Sequence, residues 1–332
     1  MHASFIDMKR SGCRRLVLAA TVAGLALCSL GAIAQGLSSR PVKIVLAQTP
    51  GTTPDLLARA LAPRLQARWN QPFVVENRAG AAGAIGMEAV AKSLPDGHTI
   101  NINVSSTLTI PIFFKVPFDI FTGFAPITMV GRNIFALSVH PSVPAKDVKE
   151  FLAWAKTQGG KVNYGSPGNG THHHLFMEQF KLMTGTDMTH IPYKGSAQAF
   201  TDLMGGQISA MFVPMGAALN MAKENRIRLL GGSARERSPL TPEIPSLHEQ
   251  GITGFNMDAW FAAWAPGGTP PDIINKYNTV LREILAEPET RASLGRQGVS
   301  VSVSTPEELD RINRNEYEVL AKLVKAANIK GD

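Results

Sequence analysis

The residues whose types and spacing best indicate a chemical role lie between Tyr164 and Gly185, in the run YGSPGNGTHHHLFMEQFKLMTG. This run is typical of a short strand, a glycine-rich loop and a helix. The next segment, DMTHIPYKGSAQAFTDLMGGQI, repeats that order. A loop of this kind directs several backbone N–H groups and the positive end of a helix at one point, which attracts an anion. The sequence therefore predicts a site that holds a carboxylate-sized anion without reacting with it.

Three consecutive histidines at the start of this helix, His172, His173 and His174, suggest a metal site. Because consecutive residues of a helix are rotated by about 100°, three adjacent imidazoles cannot face one ion. No nearby carboxylate completes a usual metal-ligand spacing. We therefore expect no metal, and interpret these side chains as a donor to an anion or, more simply, as exposed or capping residues.

Ser166 is the one candidate nucleophile in this loop. The nucleophile elbow of serine hydrolases has the pattern G-x-S-x-G, and here Tyr164 replaces the first glycine. A hydrolase also needs an Asp–His pair, which the sequence does not specify. The run Gly80–Gly86 matches neither the dinucleotide-binding nor the P-loop pattern, so we expect no cofactor. A secreted hydrolase that uses Ser166 remains the alternative from another functional class.

The first 34 residues have the composition of a secretory signal peptide. A basic segment precedes the apolar run Leu16–Leu30, and Ala32-Ile33-Ala34 is a small-x-small cleavage pattern. We predict cleavage after Ala34 and export to the periplasm, with a transmembrane anchor as the alternative. Cys13 and Cys28 both precede this point, so the mature chain would have no thiol for a disulfide, a nucleophile or a metal.

The chain has 332 residues, 44% of them apolar, which is enough for a substantial core and about two domains. Its formal net charge is +7, from 33 basic and 26 acidic residues. These charges are scattered, without a basic run or interleaved aromatic residues, so nucleic-acid binding is not indicated. A mildly positive surface suits an anionic ligand.

From Pro41 onward, strand-like and helix-like segments alternate, which predicts an α/β protein with mainly parallel sheets. The first helix should follow the loop QTPGTTP, with Thr53 as its N-cap and Pro54 at its first position. Segment 124–139 should cross into a second unit, and Trp260–Pro266 should carry the chain back. Thr305 should begin a C-terminal helix with a capping box.

The mature chain resembles the Bug family throughout. The resemblance is carried by PGTTPDLLAR, VVENRAGAAGAIGMEAVAKSLPDGHT, YGSPGNGTHHHLF, DMTHIPYKGSAQAFTDLMGGQI and WFAAWAPGGTPPDII, in that order. These proteins are the periplasmic, TctC-like solute-binding receptors of tripartite tricarboxylate transporters. The resemblance implies a two-domain periplasmic binding protein of the type II, Venus-flytrap class that binds a carboxylate and catalyses nothing. Its domains would be 35–138 plus 257–332, and 139–256.

The resemblance also implies the position of the ligand. Carboxylates would be held by loop backbone groups, hydroxyls and bridging waters in the cleft. The residues expected to contact the ligand are Thr49, Gly51, Thr52, Thr53, Asp55, Ser105, Ser106, Thr107, Ser166, Gly170, Thr171, His172, Tyr193, Lys194, Gly195, Phe212, Val213 and Pro214.

Two departures from the family pattern bear on the ligand. Thr52 follows Gly51 where relatives often have a second glycine, and no acidic residue lies between Ser209 and Met215 where many members have an aspartate. The missing acid favours a dicarboxylate or an aromatic acid over an amino acid. The implied partners are membrane permease subunits, and the receptor is expected to be a monomer. An orphan ligand sensor for a two-component system is a further alternative.

Overall fold

The computed structural model describes residues 40–329. The predicted signal peptide, both cysteines and the cleavage site after Ala34 lie outside the described residues. Within 40–329, no helix is both long enough and apolar enough to cross a membrane.

The described chain alternates eleven strands with ten α-helices, as the α/β prediction requires. The strands are β1 (Val42–Leu46), β2 (Phe73–Asn77), β3 (Thr99–Val104), β4 (Phe124–Asn133), β5 (Phe135–Val139), β6 (Asn163–Ser166), β7 (Thr189–Pro192), β8 (Ala210–Pro214), β9 (Arg228–Gly232), β10 (Ala259–Pro266) and β11 (Val299–Val301). The helices are α1 (Thr53–Trp69), α2 (Ala84–Ala91), α3 (Ile110–Phe113), α4 (Val148–Thr157), α5 (His172–Thr184), α6 (Ser196–Met204), α7 (Met215–Lys223), α8 (Pro271–Ala286), α9 (Pro288–Gly295) and α10 (Pro306–Ala326).

The strands form two sheets, each the centre of one lobe. The first lobe contains a six-stranded sheet in the order β11-β4-β10-β3-β1-β2, and the second a five-stranded sheet in the order β7-β6-β8-β5-β9. The prediction of mainly parallel sheets is wrong in detail. β1 pairs in parallel with β2 and β3, and β6 with β7 and β8, whereas β4, β5, β9, β10 and β11 pair antiparallel. Every antiparallel pair includes β4, β5 or β10, the strands through which the chain passes between the two sheets.

The chain passes between the sheets at Ile134, which separates β4 from β5. It returns in β10, which lies beside β4 over eight paired positions. Arg132 of β4 and Asp258, immediately before β10, form an ion pair of 2.9 Å that joins the two crossing segments. The hinge-like connection predicted from segment 124–139 and Trp260–Pro266 therefore consists of adjacent strands. The exact domain boundaries remain a prediction.

Local sequence signals explain where the helices begin. Thr305 accepts a hydrogen bond from the Glu308 backbone at 3.1 Å, and the Glu308 carboxylate accepts one from Thr305, so the predicted capping box is confirmed. The N-cap of α1 is Thr52 and not Thr53, so that prediction was wrong by one residue and Pro54 is the second helical residue. One face of α1, with Leu57 and Leu61, is fully buried against the first sheet.

Candidate functional site

The loops selected from the sequence meet where the two lobes face each other. Ser105, after β3 in the first lobe, hydrogen-bonds to Nε2 of His172 in the second lobe at 2.9 Å. A Cβ placed on Gly195 would lie 3.8 Å from Cγ2 of Thr49, so these two loops also approach across the cleft. The carboxyl ends of parallel strands carry binding loops in α/β proteins, and here the loops after β1, β3, β6 and β7 converge.

Asp55 organises the loop between β1 and α1. Its buried carboxylate accepts hydrogen bonds from the Gly51 backbone, from Arg59 and from the Asn77 amide, each at 3.0 Å. Burial alone would raise the pKa of this carboxyl, but these donors hold the pKa below its ordinary value. Asp55 therefore has a structural role: it orders the loop, because its acceptor positions are already used within the protein.

The hydroxyl groups of the first lobe divide into two sets. Thr52 donates to the Thr49 carbonyl at 2.7 Å and Thr107 donates to the Val104 carbonyl at 2.8 Å, so their protons are already committed. Within residues 40–329 the hydroxyls of Thr49, Thr53 and Ser106 make no hydrogen bond. These last three side chains remain as donors for an anion.

Ser166 shapes the loop between β6 and α5. Its hydroxyl lies 3.0 Å from the Gly168 carbonyl, accepts the Gly168 N–H at 3.1 Å and lies 2.6 Å from Nε2 of His190. One proton and two lone pairs satisfy these three contacts, so none remains for a ligand or for nucleophilic attack. Burial lowers the pKa of His190 to about 3. The pair is a buried neutral hydrogen bond that fixes the loop.

The three consecutive histidines point in three directions, as the helix geometry predicts, but they are not solvent-exposed. His172 meets Ser105, while the His173 ring packs on Phe135 with centroids 5.0 Å apart. His174 accepts the Gly170 N–H at 3.2 Å and stacks on His190 at 3.9 Å. Burial lowers the pKa of His172 and His173 to about 3 and that of His174 to about 4. The expectation of exposed side chains is therefore wrong, and all three imidazoles are neutral at pH 7.

The loop after β7 presents one charged side chain. Tyr193 donates to the Asp202 carboxylate at 2.8 Å, and burial together with that carboxylate raises the pKa of Tyr193 to about 12. Its hydroxyl therefore supports the loop. Lys194 is exposed, and Gly195 leads directly into α6, whose first turn has no side-chain cap.

The three site residues expected on β8 do not all reach the cleft. Phe212 is fully buried and stacks on Phe255 with centroids 5.8 Å apart, and Val213 belongs to the core on the opposite face of the sheet. Phe212 and Val213 are therefore core residues and not ligand contacts. β8 is a central strand covered on both faces, so successive side chains enter the core in both directions. Pro214, at the strand end, is half-buried.

A second glycine-rich loop of the first lobe, between β2 and α2, is not among the site residues predicted from the sequence. Gly83 begins α2 beside the Gln48 side chain, whose Oε1 is buried without a partner in the described chain. Ala81 and Ala82 have φ values of 45° and 50°, a left-handed conformation that is uncommon for residues with a Cβ. Gly80 and Gly83 mark this loop in the sequence, because both have positive φ values that favour glycine.

Two concave regions lie away from these loops. One, of about 290 Å³, includes Arg132, Met215 and Arg296; the other, of about 430 Å³, includes Phe176, Glu316 and Leu323. Neither is lined by any residue of the predicted ligand site. The candidate site is the set of converging loops, which bring polar groups of both lobes together. Residues 40–329 contain no cluster of three or more His, Asp or Glu that could hold a metal.

Residues 57–329 match the family model described as the tripartite tricarboxylate transporter family receptor, TctC. The chain belongs to this family. It is therefore a periplasmic solute-binding receptor and not an enzyme, which removes the Ser166 hydrolase alternative. Protein BugT of Bordetella pertussis is 32% identical over 295 residues, covering 88% of this chain and 90% of BugT.

Two solved structures of similar proteins contain carboxylates. R. palustris Rpa4515 with adipate is 30% identical, with a TM-score of 0.85, and the match covers 90% of this chain and 100% of that one. MatC from Rhodopseudomonas palustris with bound malate is 26% identical, with a TM-score of 0.80, covering 86% and 99%. The two-domain binding-protein fold expected from the sequence is confirmed.

Proposed function

We propose that this receptor captures a small organic carboxylate, a dicarboxylate or an aromatic acid, between its two lobes. The observation that carries the proposal is the set of uncommitted donors at the converging loops. The hydroxyls of Thr49, Thr53 and Ser106 have no partner within residues 40–329, and α1, α5 and α6 begin without side-chain caps. Free N–H groups at helix starts favour a carboxylate.

The arrangement of acidic side chains supports an anion over an amino acid. Asp55 is the acidic residue in the first turn of α1, and its carboxylate accepts from Gly51, Arg59 and Asn77. Glu178, beneath the second lobe's loop, accepts the Tyr164 hydroxyl and pairs with Lys181 at 2.7 Å. Asp55 therefore leaves no open acceptor for a ligand ammonium group, and Glu178 is buried and already paired with a lysine. The relatives solved with adipate and malate agree with this ligand class.

Binding would draw together domain 35–138 plus 257–332 and domain 139–256. Because the donors belong to both lobes, a ligand that spans them interacts more strongly with the closed state and shifts the equilibrium towards it. The mature receptor, released by cleavage after Ala34, would act as a monomer. It would deliver the ligand to the membrane permease subunits of a tripartite transporter, and a two-component sensor is the alternative partner.

Calorimetric titration of the mature protein with a defined panel tests the ligand class. The panel contains four- to six-carbon dicarboxylates, aromatic monocarboxylates, amino acids, neutral sugars and polyamines. We expect saturable binding of at least one carboxylate and weaker or no binding of the other classes. Binding of only sugars or cations would overturn the proposal.

A pair of matched variants tests the position of the site. Thr49→Val removes a hydroxyl without a partner in the described chain while keeping the shape of the side chain. Thr157→Val makes the same change on α4, where the hydroxyl donates to the Trp154 carbonyl. We expect Thr49→Val to weaken carboxylate binding about three- to tenfold, the cost of one hydrogen bond. Thr157→Val should leave it unchanged.

A further inference from the structure

We propose that Ser105 and His172 form a latch between the lobes and do not bind the ligand. This inference rests on the proposed function and adds to it a pair of residues that sets affinity without setting specificity. In the sequence both residues were candidate ligand contacts. In the structure the two side chains form a hydrogen bond with each other.

The two side chains belong to different lobes and are almost inaccessible to solvent. Ser105 follows β3 of the first lobe and is 0% exposed, and His172 begins α5 of the second and is 3% exposed. Their contact of 2.9 Å is a full-strength hydrogen bond. A third group, the backbone N–H of Trp260 on β10, points at the Ser105 oxygen from 3.4 Å. The latch therefore lies beside one of the strands that connect the lobes.

The hydrogen-bonding capacity of the two side chains fits this contact. The Trp260 N–H can only donate, so the Ser105 oxygen accepts there and keeps one proton and one lone pair for the bond to Nε2 of His172, in either tautomer. Burial lowers the pKa of His172 to about 3, so the ring is neutral throughout the physiological range. The bond is thus present at any pH at which the receptor operates.

Packing holds His172 in place on the second lobe. Its ring lies 6.1 Å from the Phe135 ring and 5.2 Å from the Phe176 ring, centroid to centroid, and both belong to the second lobe. The imidazole therefore moves with that lobe while Ser105 moves with the other. A movement of the lobes that separates Ser105 from His172 breaks the bond.

The neighbouring contacts show how closely the lobes approach at this point. Thr109 of the first lobe points its hydroxyl at the Gly170 carbonyl of the second at 3.3 Å. A Cβ on Gly170 would lie 2.6 Å from Cε2 of Phe113, and Gly170 has a φ of 77°. Only glycine allows this approach, so the latch belongs to a surface shaped for the closed state.

The consequence is an affinity contribution common to every ligand. A bond that exists only when the lobes are closed stabilises the closed state by the same factor whatever the cleft contains. A typical neutral hydrogen bond corresponds to about three- to tenfold in the dissociation constant. A side chain that touched the ligand would instead change the ranking of ligands.

The test is a double-mutant cycle with Ser105→Ala, His172→Phe and the double variant. His172→Phe keeps a ring against Phe135 and Phe176. Dissociation constants are measured for at least two carboxylates of different shape that bind the unmodified receptor. We expect each single variant to raise both constants by the same three- to tenfold factor. The dissociation constants of the double variant should be no higher than those of the single variant that binds more weakly.

The chain offers a matched control pair. His140 and Ser142 also form a histidine–serine hydrogen bond, at 2.7 Å, but both follow β5 within the second lobe. Ser142→Ala and His140→Phe remove the same type of bond without affecting the cleft. These variants should leave the dissociation constants unchanged.

Two results would overturn the latch. Additive effects of the single variants would show that Ser105 and His172 act independently, and a factor that differs between ligands would show direct contact with the ligand. The proposed function fails separately, if the unmodified receptor binds no carboxylate at all.

A ligand-independent measurement keeps the latch testable in that case. A chain that starts at Gln35 has no cysteine, so spin labels can be placed at Leu94→Cys in the first lobe and Gln198→Cys in the second. We expect Ser105→Ala to lower the fraction of molecules with the shorter interlobe distance, measured by pulsed electron resonance. An unchanged distance distribution would reject the latch.

Discussion

The loop after β1 and the loop after β6 face each other, yet they are ordered by opposite means. Asp55 holds the first loop with a charged carboxylate that accepts from Gly51, Arg59 and Asn77. The second loop is ordered by neutral groups, with Ser166 against His190 and His174 against Gly170. The buried Asp55 carboxylate stays charged because arginine and amide donors satisfy it. Imidazoles packed among aromatic rings are neutral at pH 7, because burial lowers their pKa values.

Because of this contrast, the two loops should depend on pH in different ranges. The carboxylate stabilises the first loop wherever it is ionised, and its donors hold its pKa below the ordinary value of an aspartate. The imidazoles stabilise the second loop only while the protein keeps them neutral. Four predictions test this contrast, in order of decreasing effect.

The largest effect should come from lowering the pH from 7 to 5. The folded pKa values of His172, His173 and His190 are about 3 and that of His174 is about 4, against 6.5 for an exposed histidine. Between these values the unfolded chain binds protons that the folded chain does not, so stability falls as the pH falls through this window. Each imidazole that stays neutral should cost roughly 1–2 kcal/mol at pH 5.

Urea unfolding at the two pH values measures this loss. His173→Leu removes one of the four imidazoles and should make the difference between pH 7 and pH 5 smaller. Equal stability at both pH values would show that the second lobe is not ordered by neutral histidines. Asp55 should contribute no loss in this range, because its hydrogen-bond donors hold its pKa below that of an ordinary aspartate.

The next effect should come from Asp55→Ala, which leaves three donors without their acceptor. We expect the free energy of unfolding to fall by about 2 kcal/mol at pH 7. Asp310→Ala is the matched control, since Asp310 also pairs with an arginine four residues later, at 2.8 Å, but at the surface. The free energy of unfolding should change little in Asp310→Ala. Faster hydrogen exchange at the Gly51 amide in Asp55→Ala would confirm the contrast.

A smaller effect is expected from Ser166→Ala. The hydroxyl joins Gly168 to His190, and its loss should lower the free energy of unfolding by about 1 kcal/mol. Carboxylate binding should weaken a few-fold without a change in ligand ranking, because Ser166 orders the loop and does not touch the ligand. A reordering of ligands in calorimetric titration would contradict this assignment.

The smallest effect is an expected gain in stability. Both ring nitrogens of His173 are buried without a partner among the described residues, and the ring packs on Phe135. His173→Leu removes two unsatisfied polar atoms and should raise the free energy of unfolding by about 0.5–1 kcal/mol at pH 7. A loss of stability instead would indicate that a bound water or the ring packing makes the histidine favourable.

Much of the candidate site could be predicted because its loops are marked locally. Glycine and proline mark the turns at Pro50 and Gly51, and at Gly168 and Gly170, and the helix starts follow from the residues after them. The hydrogen-bond partners of individual side chains could not be predicted in the same way. Ser166 and His190 are 24 residues apart, and Ser105 and His172 are 67 apart. Hydrogen-bond partners at such separations depend on how the sheets pack.

The α/β class, the helix and strand segments and the positions of the loops could be read from the order of the residues. These features depend on apolar periodicity and turn residues, which act over a few positions. The mixed sheets, the burial of Phe212 and Val213, and the internal hydrogen bonds of Asp55 and Ser166 became evident in the folded chain. Those outcomes depend on burial and on partners from remote parts of the chain. The sequence marked the positions of these polar groups, and the packing of the lobes decided which of them remain available to a ligand.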